Sequence, residues 1–351
     1  MLVCLGIALA IFCGIIIYQM HTPIVMQQST IEIPKGASLG NINVVLSAQQ
    51  VITHPAVLWK IYACVTRQST LSIRAGEYLI PKGSTAADML KIFTSGKVFQ
   101  HKVVLPPGIT VNKALSILAY SPKLKNDLKG VSVATLAKHL GIKHVWSEGL
   151  FYADTYFYTA HSNASTIMLR AYQQLKRKLN HLWQNKAEHL PYKTPYEALI
   201  VASLIAKETG IAEERRKISG IFVRRLQQGM RLQSDPTVIY GAGCHFKGKL
   251  TYHDLRRKTV YNTYLINGLP PTPIALVTEA DIDAALHPLE GKVLYFVAKG
   301  DGTHVFSETL QDQQQAINKY QKQRRADYHS TPLNNNNYHA VEKEVSNAKQ
   351  R

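Results

Sequence analysis

A chain of 351 residues with 46% hydrophobic content is long enough for roughly two domains, each with a real core. The formal net charge of +18 points to an anionic partner, such as a membrane surface or an acidic polymer. It does not point to a nucleic-acid reader, because no zinc-finger spacing, basic heptad region or RNP-type aromatic pattern accompanies the charge.

Leu2 to Tyr18 is almost wholly apolar, and the first charged residue is Glu32. That run is near the minimum length for a membrane span. A signal peptide would call for a Lys or Arg n-region and a small-x-small cleavage site, and neither is present. The expectation is an uncleaved transmembrane anchor over residues 1–20. Cys4 and Cys13 fall in this run, and Cys64 and Cys244 lie beyond it. These four cysteines form neither a disulfide framework nor metal-ligand spacing, although a Cys64–Cys244 bridge stays open.

Residues 30–98 read as a small α/β module with an internal echo. IEIPKGASLGNINVVLSAQQVI from Ile31 and YLIPKGSTAADMLKIFTSGKV from Tyr78 share a strand, a Pro-Lys-Gly turn and an amphipathic helix. VVLPPGITVNKALSILA from Val103 repeats the plan with Pro-Pro-Gly as the turn. Such units resemble the LysM glycan-binding module, and they are also ordinary packing units.

Leu118 to Trp183 reads as mainly helical. Within it, WSEGLFYADTYFY (Trp146 to Tyr158) joins aromatics to two carboxylates, Glu148 and Asp154. Aromatic faces and carboxylates suit sugar binding, and the same residues suit an aromatic core patch. A basic amphipathic helix follows from Ser165 to Gln184.

The chemistry concentrates between Thr194 and Gly241. Thr194, Pro195 and Glu197 form a helix start with a capping box. Apolar residues at helical spacing carry the helix toward Gly210, which is expected to close it in a left-handed conformation. A second helix should run from Ala212 to about Gln228 and stop at Gly229. Its acidic first turn and basic last turn suit the helix dipole.

Glu208 breaks that pattern. It sits in the last helical turn, where the dipole disfavours an anion. A dry site would raise its pKa and make it a general acid near neutral pH, whereas a wet one would make it a solvated helix end. Further on, Gln233, Ser234 and Asp235 precede Pro236. They suit substrate contacts, and Asp235 equally suits capping a helix that begins at Pro236. Tyr261 to Ala275 reads as a proline-locked loop containing Asn262, and Asp281 to His287 as a helix. VLYFVAKGDGTHVFS reads as a hairpin turning at Lys299 to Thr303. The polar tail, residues 327–351, is expected to be disordered.

Taken together, EGxFxxDTY at Glu148, KETG at Lys207, RLxxGMxLQSDPTVIYG at Arg225, YNTYxxxGLPPxPI at Tyr261 and LYFVAxGDGxHxFS at Leu294 resemble the YceG-like (MltG) family of endolytic murein transglycosylases. The match runs in order from about Ile31 to Tyr320. Ala153 departs from the family's usual proline, and ALVTEADI departs from its usual Pro/Gly-rich turn.

The resemblance implies an α+β fold: an N-terminal anchor helix, a LysM-like module, and a mixed α/β YceG-like catalytic domain over residues 99–326. It also implies cleavage of the β-1,4 bond between N-acetylmuramic acid and N-acetylglucosamine in nascent glycan strands, leaving 1,6-anhydro ends. Glu208 matches the catalytic glutamate. Glu148, Gln233, Ser234, Asp235, Tyr240 and Asn262 would line the groove. No cofactor and no metal is implied. The expected partners are peptidoglycan strands, the membrane and penicillin-binding synthases. The expected location is the inner (plasma) membrane, with the catalytic domain outside the cytoplasm. A non-catalytic glycan-binding scaffold and an ordinary hydrolase remain the rival readings.

Overall fold

The computed structural model describes residues 2–38, 41–49, 51, 56–65 and 73–322. The polar tail from residue 327 lies outside the described residues. The chain divides into two units, Met1–His101 with Phe157–Ser162, and Lys102–Tyr156 with Asn163–Arg351.

In the first unit, α1 (Leu2–Met20) leads into β1 (Ser29–Ile33), α2 (Ile42–Ala48), α3 (Ala56–Val65), β2 (Gly76–Ile80) and α4 (Ala86–Ser95). The echo in the sequence becomes structure, with a strand followed by a glycine turn and a helix. Gly36 and Gly83 both take positive φ (83° and 82°), which a side chain would strain. β1 and β2 pair antiparallel, with Ile31 opposite Tyr78. Period-2 alternation sends Ile31, Ile33, Tyr78 and Ile80 to one buried face. α4 starts at a Thr85–Asp88 capping box, ends at left-handed Gly96, and buries Met89, Leu90 and Phe93 against that face.

The expected single-pass anchor is not found: among the described residues, no helix is long and apolar enough to cross a membrane. α1 has 19 residues, or about 28 Å of helix at 1.5 Å per residue, against about 30 Å of hydrocarbon. Its final turns are also committed elsewhere. Ile16 and Met20 are buried with Trp59 and Tyr62 in the unit's own core.

The second unit contains all but the first residue of β3 (His101–Leu105), α5 (Val111–Ala119), α6 (Val133–His139), the first three residues of β4 (Asp154–Tyr158), α7 (Ala164–Gln184), α8 (Pro195–Glu208) and α9 (Ala212–Gln227). These are followed by α10 (Asp235–Ala242), α11 (Tyr252–Leu255), α12 (Glu279–Leu286), β5 (Tyr295–Ala298), β6 (His304–Ser307) and α13 (Leu310–Ile317). β3 pairs with β4, and β5 pairs antiparallel with β6. The third echo, β3 to α5, turns at Gly108 (φ 77°) and belongs to this unit. The stretch from Leu118 to Trp183 is less helical than expected. Residues 140–163 are turns around β4, whose alternating Tyr156 and Tyr158 are buried.

α8 is the hub. Ala198 through Ile205 are all buried, so the helix is enclosed on every side. α7, α9, α10 and α12 pack around it. Ile218 and Phe222 of α9, Ile282 and Leu286 of α12, and Ile274 and Val277 of the preceding loop complete the core. The mixed helix-and-strand content fits the α+β expectation. Cys64 and Cys244 are both free thiols, so no bridge joins them.

Candidate active site

α8 begins as its sequence requires. The Thr194 hydroxyl accepts from Glu197 N at 3.2 Å, and Glu197 accepts from Thr194 N at 3.1 Å. Its end differs from expectation. The C-cap is Thr209 in an extended conformation (φ −144°), and Gly210 does not take positive φ. No left-handed glycine closes this helix, because the chain leaves α8 directly in extended form.

Glu208, the last residue of α8, is half-buried. Its Oε1 accepts a hydrogen bond from the Ser234 hydroxyl at 2.5 Å. Burial pushes its pKa up to about 8. Ser234 and Lys207 act against that shift, and the negative charge of Asp235 adds to it. Lys207 is itself pushed down by burial, with the nearby Glu208 acting the other way. A carboxyl at the unfavourable end of a helix therefore holds its proton at neutral pH.

The facing element is the N-terminus of α10. Ser234, not Asp235, is its N-cap, and Asp235 is the first helical residue. Ser234 makes no side-chain cap because its hydroxyl points to Glu208. Its backbone is fixed instead by threonines: Ser234 N donates to Thr263 Oγ1 at 2.9 Å, and Thr237 Oγ1 donates to Ser234 O at 2.7 Å. The Asp235 carboxyl accepts from the Tyr264 hydroxyl at 2.6 Å, and desolvation there raises its pKa. Behind the turn, buried Arg225 donates to Leu232 O at 2.9 Å and Leu294 O at 2.8 Å. That grip holds Gln233 in a left-handed conformation (φ 51°), which costs an L-residue energy.

The other sequence-derived residues divide into two groups. Glu148 and Tyr240 come together as a second, closed-in centre. The Glu148 carboxylate, 5% exposed, accepts from Val111 N at 2.9 Å and from the Tyr240 hydroxyl at 3.2 Å. Burial pushes its pKa up to about 7. The next residue must be glycine, since Gly149 has φ 73° and a Cβ would meet Pro273 at 2.2 Å. Asn262 and Gln233 do not turn toward Glu208. Asn262 is fully buried, donates to Leu255 O and Arg257 O, and accepts from Tyr264 N. The Gln233 carbonyl oxygen accepts from Arg225 at 3.3 Å.

Sequence reasoning passed over Thr209, Arg225, Thr237, Thr263 and Tyr264. All five lie inside the quoted motifs, and those motifs were the signal that could have found them. A cavity of about 610 Å³ opens beside the first turns of α8, lined by Tyr196, Ile200, Leu226, Leu269 and Pro270 among others. Glu208, at the opposite end of the helix, does not line it.

The hub helix thus ends in a glutamate that faces a Ser-Asp-Pro helix start. The model of the YceG-like family matches residues 31–319, and the chain belongs to that family. An endolytic murein transglycosylase of Bacillus subtilis (strain 168) is 31% identical over 309 residues, covering 83% of this chain and 84% of that protein. The protein of the same name from Streptococcus pneumoniae serotype 2 is 24% identical over 302 residues, covering 77% of this chain and 54% of its own length. A crystal structure of a yceG-like protein from Listeria monocytogenes aligns with a TM-score of 0.52 at 30% identity, covering 82% of this chain and 98% of that one.

Proposed function

We propose that this protein is a lytic transglycosylase of peptidoglycan, a lyase with Glu208 as its single acid and base. The observation that carries the reading is the half-buried Glu208 carboxyl, protonated near neutral pH and gripped on one oxygen by Ser234. The named activity of the similar proteins from Bacillus and Streptococcus supports it.

The substrate is the β-1,4 bond between N-acetylmuramic acid and N-acetylglucosamine. Glu208 gives its proton to the bridging oxygen as the bond to C1 breaks. The sugar's own C6 hydroxyl then bonds to C1, and its proton passes to the Glu208 carboxylate. The product is a 1,6-anhydro end, no water is added, and the enzyme returns to its starting state. Ordinary glycosidases need a second carboxylate as nucleophile or base. An internal hydroxyl removes that need. Ser234 holds Oε1, which leaves Oε2 to carry the travelling proton. Burial keeps the pKa high, Asp235 adds to it, and Tyr264 keeps Asp235 in place. Glu148 and Tyr240 support the α5 and α10 walls. Gln233 and Asn262 shape the loops behind them.

Residues 30–98, within the first unit, serve this reading as a glycan-holding module, and residues 99–326 as the catalytic domain. Action outside the cytoplasm follows from the substrate. The exposed apolar side chains of α1, such as Ile7, Ile11 and Phe12, suit contact with the membrane, and wall synthases are the expected neighbours.

Mass spectrometry of purified glycan strands digested by the wild type and by Glu208→Gln tests the reading. Anhydro-ended fragments from the wild type and none from the variant are expected. Reducing ends would mean hydrolysis. Bound but uncut strands with the wild type would mean a scaffold.

A further inference from the structure

Glu208 stands at a helix end that no left-handed glycine closes, so the end needs another restraint. Thr209, the next residue, is 3% exposed. Its hydroxyl accepts from Ile211 N at 3.0 Å and donates to Glu214 Oε2 at 2.9 Å. Glu214, in the first turn of α9, is also buried. Its carboxylate receives two more hydrogen bonds from one residue of the hairpin. His304 N donates to Oε1 at 2.9 Å, and His304 Nδ1 lies 2.8 Å from Oε2. A carboxylate can only accept, so Nδ1 carries the hydrogen. His304 is buried against Phe296, with ring centroids 5.5 Å apart, and Phe296 packs on Phe222 of the core.

These contacts make an unbroken chain from the core through the hairpin to the residue beside Glu208. Each polar member is buried and partnered, which is the condition for such a network to be rigid. Local capping would have needed only Thr209 and Ile211. The additional partners reach across 90 residues of sequence. They connect two stretches, KETG and GDGTH, that the acid–base step above leaves without a shared role.

We propose that His304 and Glu214 act through the Thr209 hydroxyl as positioning residues that hold the Glu208 carboxyl against Ser234. The proposal rests on the reading of Glu208 as the acid and base. A carboxyl loosened by about 1 Å loses alignment with the bridging oxygen, and displacements of that size cost about 100-fold in rate. Lys207 on α8, Asp235 on α10 and Tyr264 from the loop are the charged and titratable groups around the carboxyl. None of them belongs to the chain that holds it.

Thr209→Val replaces the hydroxyl with a methyl group, and Thr209→Ser keeps the hydroxyl without the methyl. The full-length protein and both variants are compared by melting temperature, by kcat and KM on glycan strands, and by carbon-13 titration of the Glu208 carboxyl, assigned with Glu208→Gln. Thr209→Val is expected to fold, keep KM within about twofold and lose about 10- to 100-fold in kcat. Its Glu208 titration should move down toward the ordinary glutamate value, as a released carboxyl meets more water. Thr209→Ser should stay near the wild type in every measurement. Wild-type kcat and titration in Thr209→Val would overturn the proposal, as would an equal loss in Thr209→Ser. If Glu208→Gln still cleaves, the catalytic reading fails by itself, and the titration still decides whether the chain positions the carboxyl.

Discussion

Two glutamates of the second unit sit in raised-pKa environments and are held differently. Glu148 is almost sealed, and both oxygens accept protein hydrogen bonds, from Val111 N and the Tyr240 hydroxyl. Glu208 is only half-buried and, among the described residues, its carboxyl has one hydrogen bond, from Ser234, on one oxygen. Burial is the main cause of the upward shift in both. A proton held near neutral pH therefore does not by itself make a catalyst. The proposed acid–base role also needs access and an uncommitted oxygen, and of the two only Glu208 has them.

The largest expected effect tests that contrast directly. Glu208→Gln should lower strand cleavage by at least about 1,000-fold without unfolding the protein, as losing an acid–base group does. Glu148→Gln, which keeps a hydrogen-bond acceptor for Val111 N, should lower cleavage by about tenfold or less. Comparable losses at both positions, measured on the same strands, would erase the distinction.

Stability should reverse the order. Glu148→Ala leaves Val111 N and the Tyr240 hydroxyl without their partner, which costs about 1–3 kcal/mol in denaturant unfolding. Glu208→Gln should do the opposite as pH rises. The folded pKa of about 8 lies above the ordinary 4.5, so between those values the native state binds more protons than the unfolded one. Wild-type stability then falls with rising pH across that window, and the amide escapes the loss. With a discount for solvent contact, the variant should gain about 1–2 kcal/mol on the wild type by pH 9.

Finer effects sharpen the account of Glu208 itself. Ser234 lowers its pKa and Asp235 raises it. Ser234→Ala should therefore move the alkaline limb of the pH–kcat profile upward, and Asp235→Asn should move it downward, each by less than about one unit. The smallest effect belongs to the far end of the same helix. Thr194→Ala should cost about 1 kcal/mol of stability through the lost cap and leave the pH profile unmoved.

The legible parts of this protein were those governed by near neighbours. The Thr194 capping box, the start of α9, the β5–β6 hairpin and the three strand–turn–helix echoes follow from periodicity and turn chemistry within a few residues. Glu208 stood out because a carboxylate in a last helical turn is a local anomaly. Local rules also misled. Gly210 has the residue type of a left-handed closure, yet the buried tie from Thr209 to Glu214 ends α8 in extended form. Asn262 has the chemistry of a groove residue, yet its amide is spent on the backbone of Leu255, Arg257 and Tyr264. The apolar run at the start reads as an anchor, yet its last turns pack on Trp59 and Tyr62.

The sequence by itself determined where helices and strands begin, which helix is apolar enough to be the hub, and which carboxylate sits against its dipole. Only the tertiary structure decided that Ser234, 26 residues away, grips Glu208, and that Tyr240, 92 residues away, closes over Glu148. The physical reason is range. Capping, alternation and dipoles act within a turn or two of the chain, whereas desolvation and hydrogen-bond partnership depend on what packing brings together.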